Sequence, residues 1–325
     1  MDRQKKFYSL GIDTSNYTTS AALMDNAYNI IADERIPLEV PHGLRGLRQS
    51  DAVFKHTINL PQIMERLFPK IQNSLIECIA VSVRPRPVEK SYMPVFLSGQ
   101  ALSKSMALAL DRQCFEFSHQ EGHIRAGCLS EALDEKESFI VFHISGGTTE
   151  ILLVKSYDFG YEIKIIGGTK DISIGQLIDR IGVKLGLPFP SGKHLDKNAL
   201  NYQGEKSDFL KKIYVDGLNM NLSGIETQCH RLIDNNVDSL MLTKELFEKI
   251  SEALVSVILH AVNTSHVKHV LLVGGVTASG FIKKTIKTYF KDEDISLHFC
   301  MPQYASDNAV GIAALGMDKL KSFKI

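Results

Sequence analysis

Two histidines four residues apart are the chemically most suggestive feature of the sequence. They bound the segment His119-Gln120-Glu121-Gly122-His123. Side chains at positions i and i+4 of a helix share one face, so two such imidazoles can bind one metal ion. The zinc-peptidase signature H-E-x-x-H has this spacing but places its glutamate second. Here Gln120 is second, and Glu121 points away from the shared face. The spacing therefore predicts a metal site without a peptidase general base.

Two turns rich in hydroxyl and glycine residues could bind an anion. Residues 7–24 read as strand, polar turn and strand, and residues 139–154 repeat this plan. Small residues let backbone N–H groups and hydroxyls approach a phosphate closely. Either turn alone is explained as well by a tight hairpin, whereas the pair favours phosphate binding and a duplicated α/β architecture. The candidate residues are Asp13, Thr14, Ser15, Ser145, Gly146 and Gly147.

A third glycine-rich turn follows the apolar run at residues 270–273. It begins with Gly274 and Gly275 and leads into a helical segment at residues 281–290. A strand, a glycine-rich turn and a helix can form a nucleotide pocket, because a helix N-terminus attracts negative charge. Neither G-x-G-x-x-G nor G-x-x-x-x-G-K-[ST] occurs in the chain, so Rossmann and P-loop folds are poorly supported. Close packing of the helix is the competing explanation for the glycine pair.

Two carboxylates flank a proline-bounded turn in the middle of the chain. Residues 169–187 have apolar residues at helical spacing and include Asp179. The turn at residues 188–196 ends in Asp196 and leads into another helix. Both carboxylates could accept hydrogen bonds from ribose hydroxyls or a substrate amine. Equally, Asp179 could pair with a lysine and Asp196 could be a helix N-terminal charge.

Composition sets the remaining limits. The chain has 325 residues, enough for two lobes, with 37 basic and 37 acidic residues. Zero formal charge leaves only local basic patches for contact with nucleic acid. The five cysteines show no C-x-x-C pattern, which is typical of a reducing compartment. No apolar run approaches a membrane span, and no apolar signal segment precedes the first strand. We therefore expect a cytoplasmic protein without membrane contact.

Eight short segments occur in the order found in one known family: residues 11–15, 118–123, 144–150, 175–180, 185–192, 222–227, 274–279 and 306–309. Their sequences resemble the motifs G-I-E-T-S, H-x-x-G-H, V-S-G-G-H-T-Q, G-E-A-F-D-K, L-G-L-x-Y-P-G-G, F-S-G-L-K-T, G-G-V-A-A-N and T-D-N-A. The chain thus resembles the TsaD/Gcp family, the tRNA threonylcarbamoyladenosine transferases once classed as O-sialoglycoprotein endopeptidases. The segments are distributed from residue 11 to residue 309, so the resemblance spans most of the chain.

The resemblance implies an α/β fold with two lobes, like that of actin, Hsp70 and the sugar kinases. Its two subdomains would be duplicated mixed sheets with a cleft between the lobes. We expect residues 1–125 and 306–325 to form the first lobe and residues 126–305 the second. A homodimer or heterodimer is also compatible with the family.

The resemblance also implies the site residues. A divalent metal, either iron or zinc, would be bound by His119, His123 and Asp307. An adenine nucleotide or threonylcarbamoyl-AMP would contact His143, Ile144, Ser145, Gly146, Gly147, Asp179, Gly192, Asp196 and Ser279. The expected activity transfers the threonylcarbamoyl group to N6 of an adenine in tRNA (t6A modification), together with the accessory proteins of that pathway.

Departures from the family motifs concentrate in the nucleotide and substrate set. Ser279 replaces an asparagine, Thr148 replaces a histidine, and Ser191 replaces the first glycine of P-G-G. The G-P-G-L loop is replaced by residues 84–90, which include Arg86. These changes predict a divergent paralogue. The first alternative is a metal- and nucleotide-binding protein with a regulatory or scaffolding role, and a metallopeptidase ranks below it.

Overall fold

The computed structural model describes residues 6–15, 17–40, 46–71, 75–88, 90–133, 135, 137–157 and 160–323. These residues form two β-sheets with helices packed against them. The first sheet has the strand order β3-β2-β1-β4-β5. Strands β1 to β3 pair antiparallel, and β4 and β5 add to β1 in parallel. The strands are β1 (Tyr8–Ser15), β2 (Thr18–Asp25), β3 (Ile30–Pro37), β4 (Ile76–Arg84) and β5 (Gln113–Ser118).

The second sheet has the strand order β12-β11-β6-β7-β8-β10-β9. Strands β6 to β8 pair antiparallel, and β11 and β12 add to β6 in parallel. Its strands are β6 (Phe139–Ile144), β7 (Thr149–Tyr157), β8 (Gly160–Thr169), β9 (Tyr214–Asp216), β10 (Asn219–Asn221), β11 (His269–Val273) and β12 (Ser296–Phe299).

The two sheets repeat one plan. In each sheet, the strand that comes first in the sequence lies in the interior of the sheet. An antiparallel meander lies on one side of it and two parallel strands lie on the other. Every residue of β1 and of β6 is buried, as expected for central strands covered by helices on both faces. The predicted duplication and two-lobed fold are confirmed. The exact lobe boundaries stay a prediction.

Helices cover both sheets. They are α1 (Gln49–Leu67), α2 (Phe96–Leu110), α3 (His119–Glu131), α4 (Ile174–Lys184), α5 (Gly192–Asn201), α6 (Ser223–Asp234), α7 (Ser239–Ser265), α8 (Gly280–Tyr289), α9 (Pro302–Ala305) and α10 (Val310–Ser322). Helices α1 and α2 pack on the first sheet, where α10 also contacts β1 and β4. No helix in the described ranges has the length and apolar character needed to cross a bilayer.

Helices α3 and α10 approach each other with their backbones almost in contact. A Cβ atom on Gly311 of α10 would lie 1.9 Å from the carbonyl oxygen of Gly122 in α3, so no larger residue fits there. Because α3 begins at His119 and α10 follows Asp307 closely, this contact positions the predicted metal ligands relative to each other.

Local predictions agree with the structure except at two boundaries. The Asp13–Ser15 segment lies inside β1 and not in a turn, because Ser15 already pairs with Thr18 of β2. The helical pattern at residues 169–187 is realised only by α4, since Thr169 ends β8 and Ser173 caps the helix. The glycine-rich segment after β11 forms a short 3-10 turn, Gly275–Ala278, and leads into α8 as predicted.

Candidate metal and nucleotide site

The first turn of α3 is fixed by a capping box. The Ser118 hydroxyl accepts the backbone N–H of Glu121, and the Glu121 carboxylate accepts the backbone N–H of Ser118 at 2.7 Å. The glutamate in the histidine motif is therefore a helix-capping residue, which confirms that it does not point to a metal held by the two histidines. Capping places His119 at the first helical position, directly after β5 ends.

Three predicted ligands lie together between α3 and the N-terminus of α10. The rings of His119 and His123 have centroids 4.4 Å apart on the same face of α3. One Asp307 carboxylate oxygen lies 3.4 Å from Nε2 of His119 and 3.5 Å from Nε2 of His123. One donor atom of each residue lies within 4.8 Å of the others. This group is compact enough for one cation to contact all three side chains.

The state of His123 supports a metal at this position. Its side chain is 3% exposed, yet neither ring nitrogen makes a hydrogen bond of normal geometry to the described residues, since Nε2 faces Asp307 only at 3.5 Å. Buried polar atoms are rarely left without a partner, and a bound cation would provide one. Burial alone would raise the pKa of Asp307, but His119 and His123 hold it well below its usual range. The carboxylate is thus ionised, as a metal ligand must be.

Asp13 orients His119. Its Oδ1 lies 2.9 Å from Nδ1 of His119 and accepts the hydroxyl of Ser82, and the side chain is fully buried. A proton on Nδ1 donated to this carboxylate turns Nε2 toward Asp307, where a cation would take the place of a proton on Nε2. Burial would lower the pKa of His119, but Asp13 and Asp307 raise it. Predicted as a phosphate-turn residue, Asp13 lies instead behind His119, one of the predicted metal ligands.

The other two residues predicted from the first turn differ in their environment. The Thr14 hydroxyl donates to the carbonyl of Val95 at 3.0 Å and accepts the N–H of Gly99 at 3.3 Å, so it holds the start of α2. Ser15 is buried, and its hydroxyl has no partner in the part of the chain that the structure describes. Only Ser15 thus retains an uncommitted hydroxyl.

The second turn presents backbone to open space. A Cβ atom on Gly146 or on Gly147 would meet nothing within 4 Å. The turn is held by the Ser145 N–H, which donates to the Thr148 carbonyl at 2.8 Å, and by the Ser173 hydroxyl, which donates to the Gly146 carbonyl at 2.9 Å. Its N–H groups are therefore anchored beside the N-terminus of α4, where an anion is favoured.

The third turn lies against the end of β6. Gly274 has a φ of +96°, and a Cβ there would lie 2.5 Å from the carbonyl oxygen of Ile144. The side chain of Ile144 is itself buried in the core of the second lobe, so only its backbone faces the turn. A Cβ on Gly275 would meet no atom within 4 Å. The second and third turns are thus neighbours, as a shared phosphate site requires.

Asp179 fastens the turn between α4 and α5. Its Oδ1 accepts the backbone N–H of Ser191 at 2.8 Å, beside Gly192. Burial raises the pKa of Asp179, and the N–H groups of Ser191 and Gly192 offset only part of that rise. This carboxylate therefore supports the turn from within and does not form the lysine pair considered above.

Asp196 and Ser279 are bonded to each other. The Ser279 hydroxyl donates to Oδ1 of Asp196 at 2.5 Å, and Asp196 also accepts the N–H groups of Gly280 and Phe281 at the start of α8. Asp196 is thus a charge at a helix N-terminus, but the helix is α8 and not its own helix α5. Two predicted nucleotide contacts are occupied by bonds within the chain.

A family model and curated relatives match the chain over most of its length. The model described as tRNA N6-adenosine threonylcarbamoyltransferase (TsaD) matches residues 38–314. A protein of that name from Fervidobacterium nodosum is 27% identical over 323 residues, 96% of this chain and 93% of the relative. The chain belongs to the TsaD family. At this identity it is a divergent member.

Solved structures with low identity share the fold of this TsaD-family chain. The activator of 2-hydroxyisocaproyl-CoA dehydratase from Clostridium difficile, solved with bound ADPNP, has a TM-score of 0.55 and 15% identity. The two chains cover 98% and 97% of each other. A ROK-family glucokinase from Streptomyces griseus, in complex with glucose and AMPPNP, has a TM-score of 0.53, 8% identity and coverages of 95% and 99%. The sugar-kinase-like fold is confirmed.

The TsaD motifs did not indicate a polar network that links the two sheets beside the predicted metal ligands. Arg86 pairs with Glu150 at 2.6 Å, and Gln120 donates to the other Glu150 oxygen at 2.7 Å. The Gln120 amide also lies 3.5 Å from Nδ1 of His143, whose ring centroid is 5.1 Å from that of His123. Burial holds the pKa of His143 well below its usual range, so this ring is neutral.

Two aromatic residues face each other near this site, one inside a TsaD motif and one outside all of them. Tyr17 follows β1, Phe189 precedes Gly192, and their ring centroids are 6.0 Å apart across the two lobes. Phe189 occupies the tyrosine position of the motif L-G-L-x-Y-P-G-G, and that match, with the proline-bounded turn at residues 188–196, was its sequence signal. No pattern signalled Tyr17, since an aromatic residue in a hairpin turn is unremarkable by itself.

Proposed function

We propose that this chain transfers the threonylcarbamoyl group of threonylcarbamoyl-AMP to N6 of an adenine in tRNA, acting in the cytoplasm with the accessory proteins of that pathway. Family membership supports tRNA modification of the t6A type. The observation that carries the proposal for this chain is the group His119, His123 and Asp307, in which the buried His123 imidazole makes no hydrogen bond to the described residues and faces Asp307 at 3.5 Å.

The proposed reaction requires mainly that the donor and the acceptor are held in the correct relative position. The donor is a mixed anhydride, so its carbonyl is already activated and AMP is a good leaving group. The adenine N6 forms a bond to the carbonyl carbon, the bond from that carbon to the phosphate oxygen breaks, and N6 loses a proton. Holding both reactants in one cleft lowers the entropic part of the barrier, and fixed dipoles stabilise the developing charge. No covalent nucleophile of the protein is needed.

Chain residues are available for each task. His119, His123 and Asp307 would hold the metal, and Asp13 would keep His119 oriented. Iron and zinc both suit two imidazoles and a carboxylate. The metal would supply positive charge for a phosphate or carbonyl oxygen. Backbone N–H groups of the turn at Gly146 and Gly147 would bind the phosphate, since that turn borders open space next to α4.

The decisive experiment uses purified protein, threonylcarbamoyl-AMP, unmodified tRNA and candidate accessory proteins. We expect threonylcarbamoyladenosine in the digested tRNA by mass spectrometry. His123→Ala should lower both bound metal and product by at least tenfold, because it removes one of the three proposed ligands. His260→Ala, an exposed histidine on α7, is the matched control. An unmodified tRNA with every partner supplied would contradict the proposal.

A second candidate is a metal- and nucleotide-binding protein with a regulatory role and no transfer activity. It is favoured by one observation, the bonds that occupy Asp196 and Ser279 within the chain. A protein that retains its metal through purification but never modifies tRNA would support it. A peptidase role is not supported, because the Glu121 carboxylate caps α3.

A further inference from the structure

Two aromatic side chains from different lobes meet at the cleft. Tyr17 lies in the turn between β1 and β2 of the first sheet, and Phe189 lies in the turn between α4 and α5 of the second lobe. Their ring centroids are 6.0 Å apart with an angle of 60° between the ring planes. Both side chains are half-buried, so part of each ring surface is open to a ligand.

Backbone hydrogen bonds hold the chain next to both rings. The Tyr17 carbonyl accepts the N–H of Leu38 at 2.8 Å, next to the last residue pair of the β1–β2 hairpin. On the other side, the Ser191 hydroxyl donates to the Pro188 carbonyl at 2.9 Å, and Asp179 accepts the Ser191 N–H. These hydrogen bonds restrict the backbone at Tyr17 and beside Phe189 before a ligand binds, which favours binding.

The surroundings of the pair are acidic. Partial burial raises the pKa of the Tyr17 phenol, and the carboxylates of Asp179 and Asp307 raise it further. The phenol is therefore protonated at neutral pH, in a region of negative potential. Such a region favours a heterocycle that carries hydrogen-bond donors, such as an exocyclic amino group.

From this geometry we infer that Tyr17 and Phe189 form a stacking site for an aminopurine base at the mouth of the cleft. Aromatic side chains bind bases through their ring faces, and an edge-to-face pair leaves a ring face free. The inference rests on the proposed function and adds the part of the site that holds a base next to the metal ligands. The base can belong to an adenine nucleotide or to an adenosine extruded from an RNA loop.

The absence of tryptophan from the sequence allows a direct test of stacking. Phe189→Trp introduces a single indole, whose emission should be quenched saturably by a stacked purine. The ligands are AMP, an RNA stem-loop with adenosine in its loop, and the same stem-loop with uridine there. Quenching by AMP alone assigns the base to the nucleotide, and quenching by the adenosine stem-loop assigns it to RNA. No saturable quenching, or equal quenching by the uridine stem-loop, would overturn the inference.

Matched variants distinguish a loss of purine stacking from a loss of folded structure. Tyr289→Trp places the indole on an exposed position of α8 beside Phe290, and we expect no purine-dependent quenching from it. In the Phe189→Trp background, Tyr17→Phe should bind the purine ligand within about twofold of the parent, whereas Tyr17→Leu should bind it about tenfold more weakly. Circular dichroism checks that each variant folds. Equal affinity of the Tyr17→Leu and Tyr17→Phe variants would overturn the assignment of Tyr17.

The quenching assay requires no group transfer, so its outcome is separate from that of the proposed function. A protein that shows purine-specific quenching but never modifies tRNA would support the stacking site and contradict the transferase. Conversely, a chain that modifies tRNA with an unchanged KM after Tyr17→Leu would retain the transferase and lose the stacking site.

Discussion

Histidine and aspartate side chains beside one another can have different roles, and their remaining contacts distinguish them. His123 has no hydrogen-bond partner among the described residues, whereas His119 is held by Asp13 at 2.9 Å. The position of Asp13 matches a carboxylate that orients a metal-ligating imidazole through its other nitrogen. Removing its charge should therefore affect the metal more than the fold.

Asp13→Asn is expected to weaken binding of Zn²⁺ about 10- to 100-fold, because the amide cannot stabilise the positive charge that builds on His119 when it binds a cation. Competition with a chromophoric chelator measures the affinity. Asp51→Asn, on the exposed first turn of α1, is the control. An Asp13→Asn protein with the parent affinity would show that Asp13 does not act through His119.

Residues linked along one element could be predicted from the sequence, and residues linked across the fold could not. His119 and His123 share a face because four residues separate them on a helix. The bond between Asp196 and Ser279 joins α5 to the start of α8, and no local pattern encodes such a pairing. Asp307 was placed beside the histidines only by the family resemblance.

At the scale of elements, the N-terminus of α6 is capped by a carboxylate that is distant in the sequence. Asp171 accepts the backbone N–H groups of Leu222 at 2.9 Å and of Ser223 at 2.9 Å. These donors have no partner inside the helix, so the carboxylate replaces a local capping residue. Burial alone would raise the pKa of Asp171, but these N–H donors outweigh it and lower the pKa.

Asp171→Asn should lower the free energy of unfolding by about 1 kcal/mol at neutral pH. Because the folded-state pKa lies below the usual 3.8, the carboxylate stabilises the fold above that pH and loses its effect as the pH falls through the folded value. The difference between variant and parent should therefore shrink below about pH 4. Urea unfolding at several pH values measures it, with the exposed Asp292→Asn as control. A pH-independent difference would exclude the ionised carboxylate as its source.

The contact between α3 and α10 connects stability with metal binding. Gly311→Ala would place a Cβ 1.9 Å from the Gly122 carbonyl oxygen, so the two helices must separate. We expect a loss of about 1–3 kcal/mol in the free energy of unfolding, together with weaker metal binding, since each helix positions part of the ligand group. Gly224→Ala on α6, where a Cβ meets nothing within 4 Å, is the matched control.

Thermal unfolding and chelator competition report the two effects of Gly311→Ala separately. A variant that is destabilised but retains the parent metal affinity would show that the ligand geometry does not depend on this contact.

For the whole molecule, the duplication of the sheets was predictable and the links between them were not. Each lobe opens with a hairpin of similar residue pattern, and both hairpins became the centre of a sheet. The pairing of Arg86 with Glu150 depends on how a loop after β4 meets β7 of the other sheet. That geometry follows from the packing of both lobes, so it is absent from any single segment.

The Arg86–Glu150 pair should couple the two sheets energetically. In a double-mutant cycle with Arg86→Ala and Glu150→Ala, we expect a coupling of roughly 1 kcal/mol in the free energy of unfolding, because Glu150 is nearly buried and Arg86 is its charged partner. Lys104 and Glu116, an exposed pair within the first lobe, provide the comparison and should give a smaller value. Equal couplings would mean that the link between the sheets has no special strength.

The proposed metal ligands lie far apart in the sequence, with the two histidines on α3 and Asp307 in the loop that precedes α10. During synthesis, the two histidines are made long before the carboxylate that completes the group. Nascent chains can therefore hold at most a two-ligand site until the C-terminal helix has docked on the first sheet. Metal binding by all three ligands would accordingly follow the synthesis of nearly the whole chain. A protein truncated before Asp307 would lack the carboxylate and could not form the complete group.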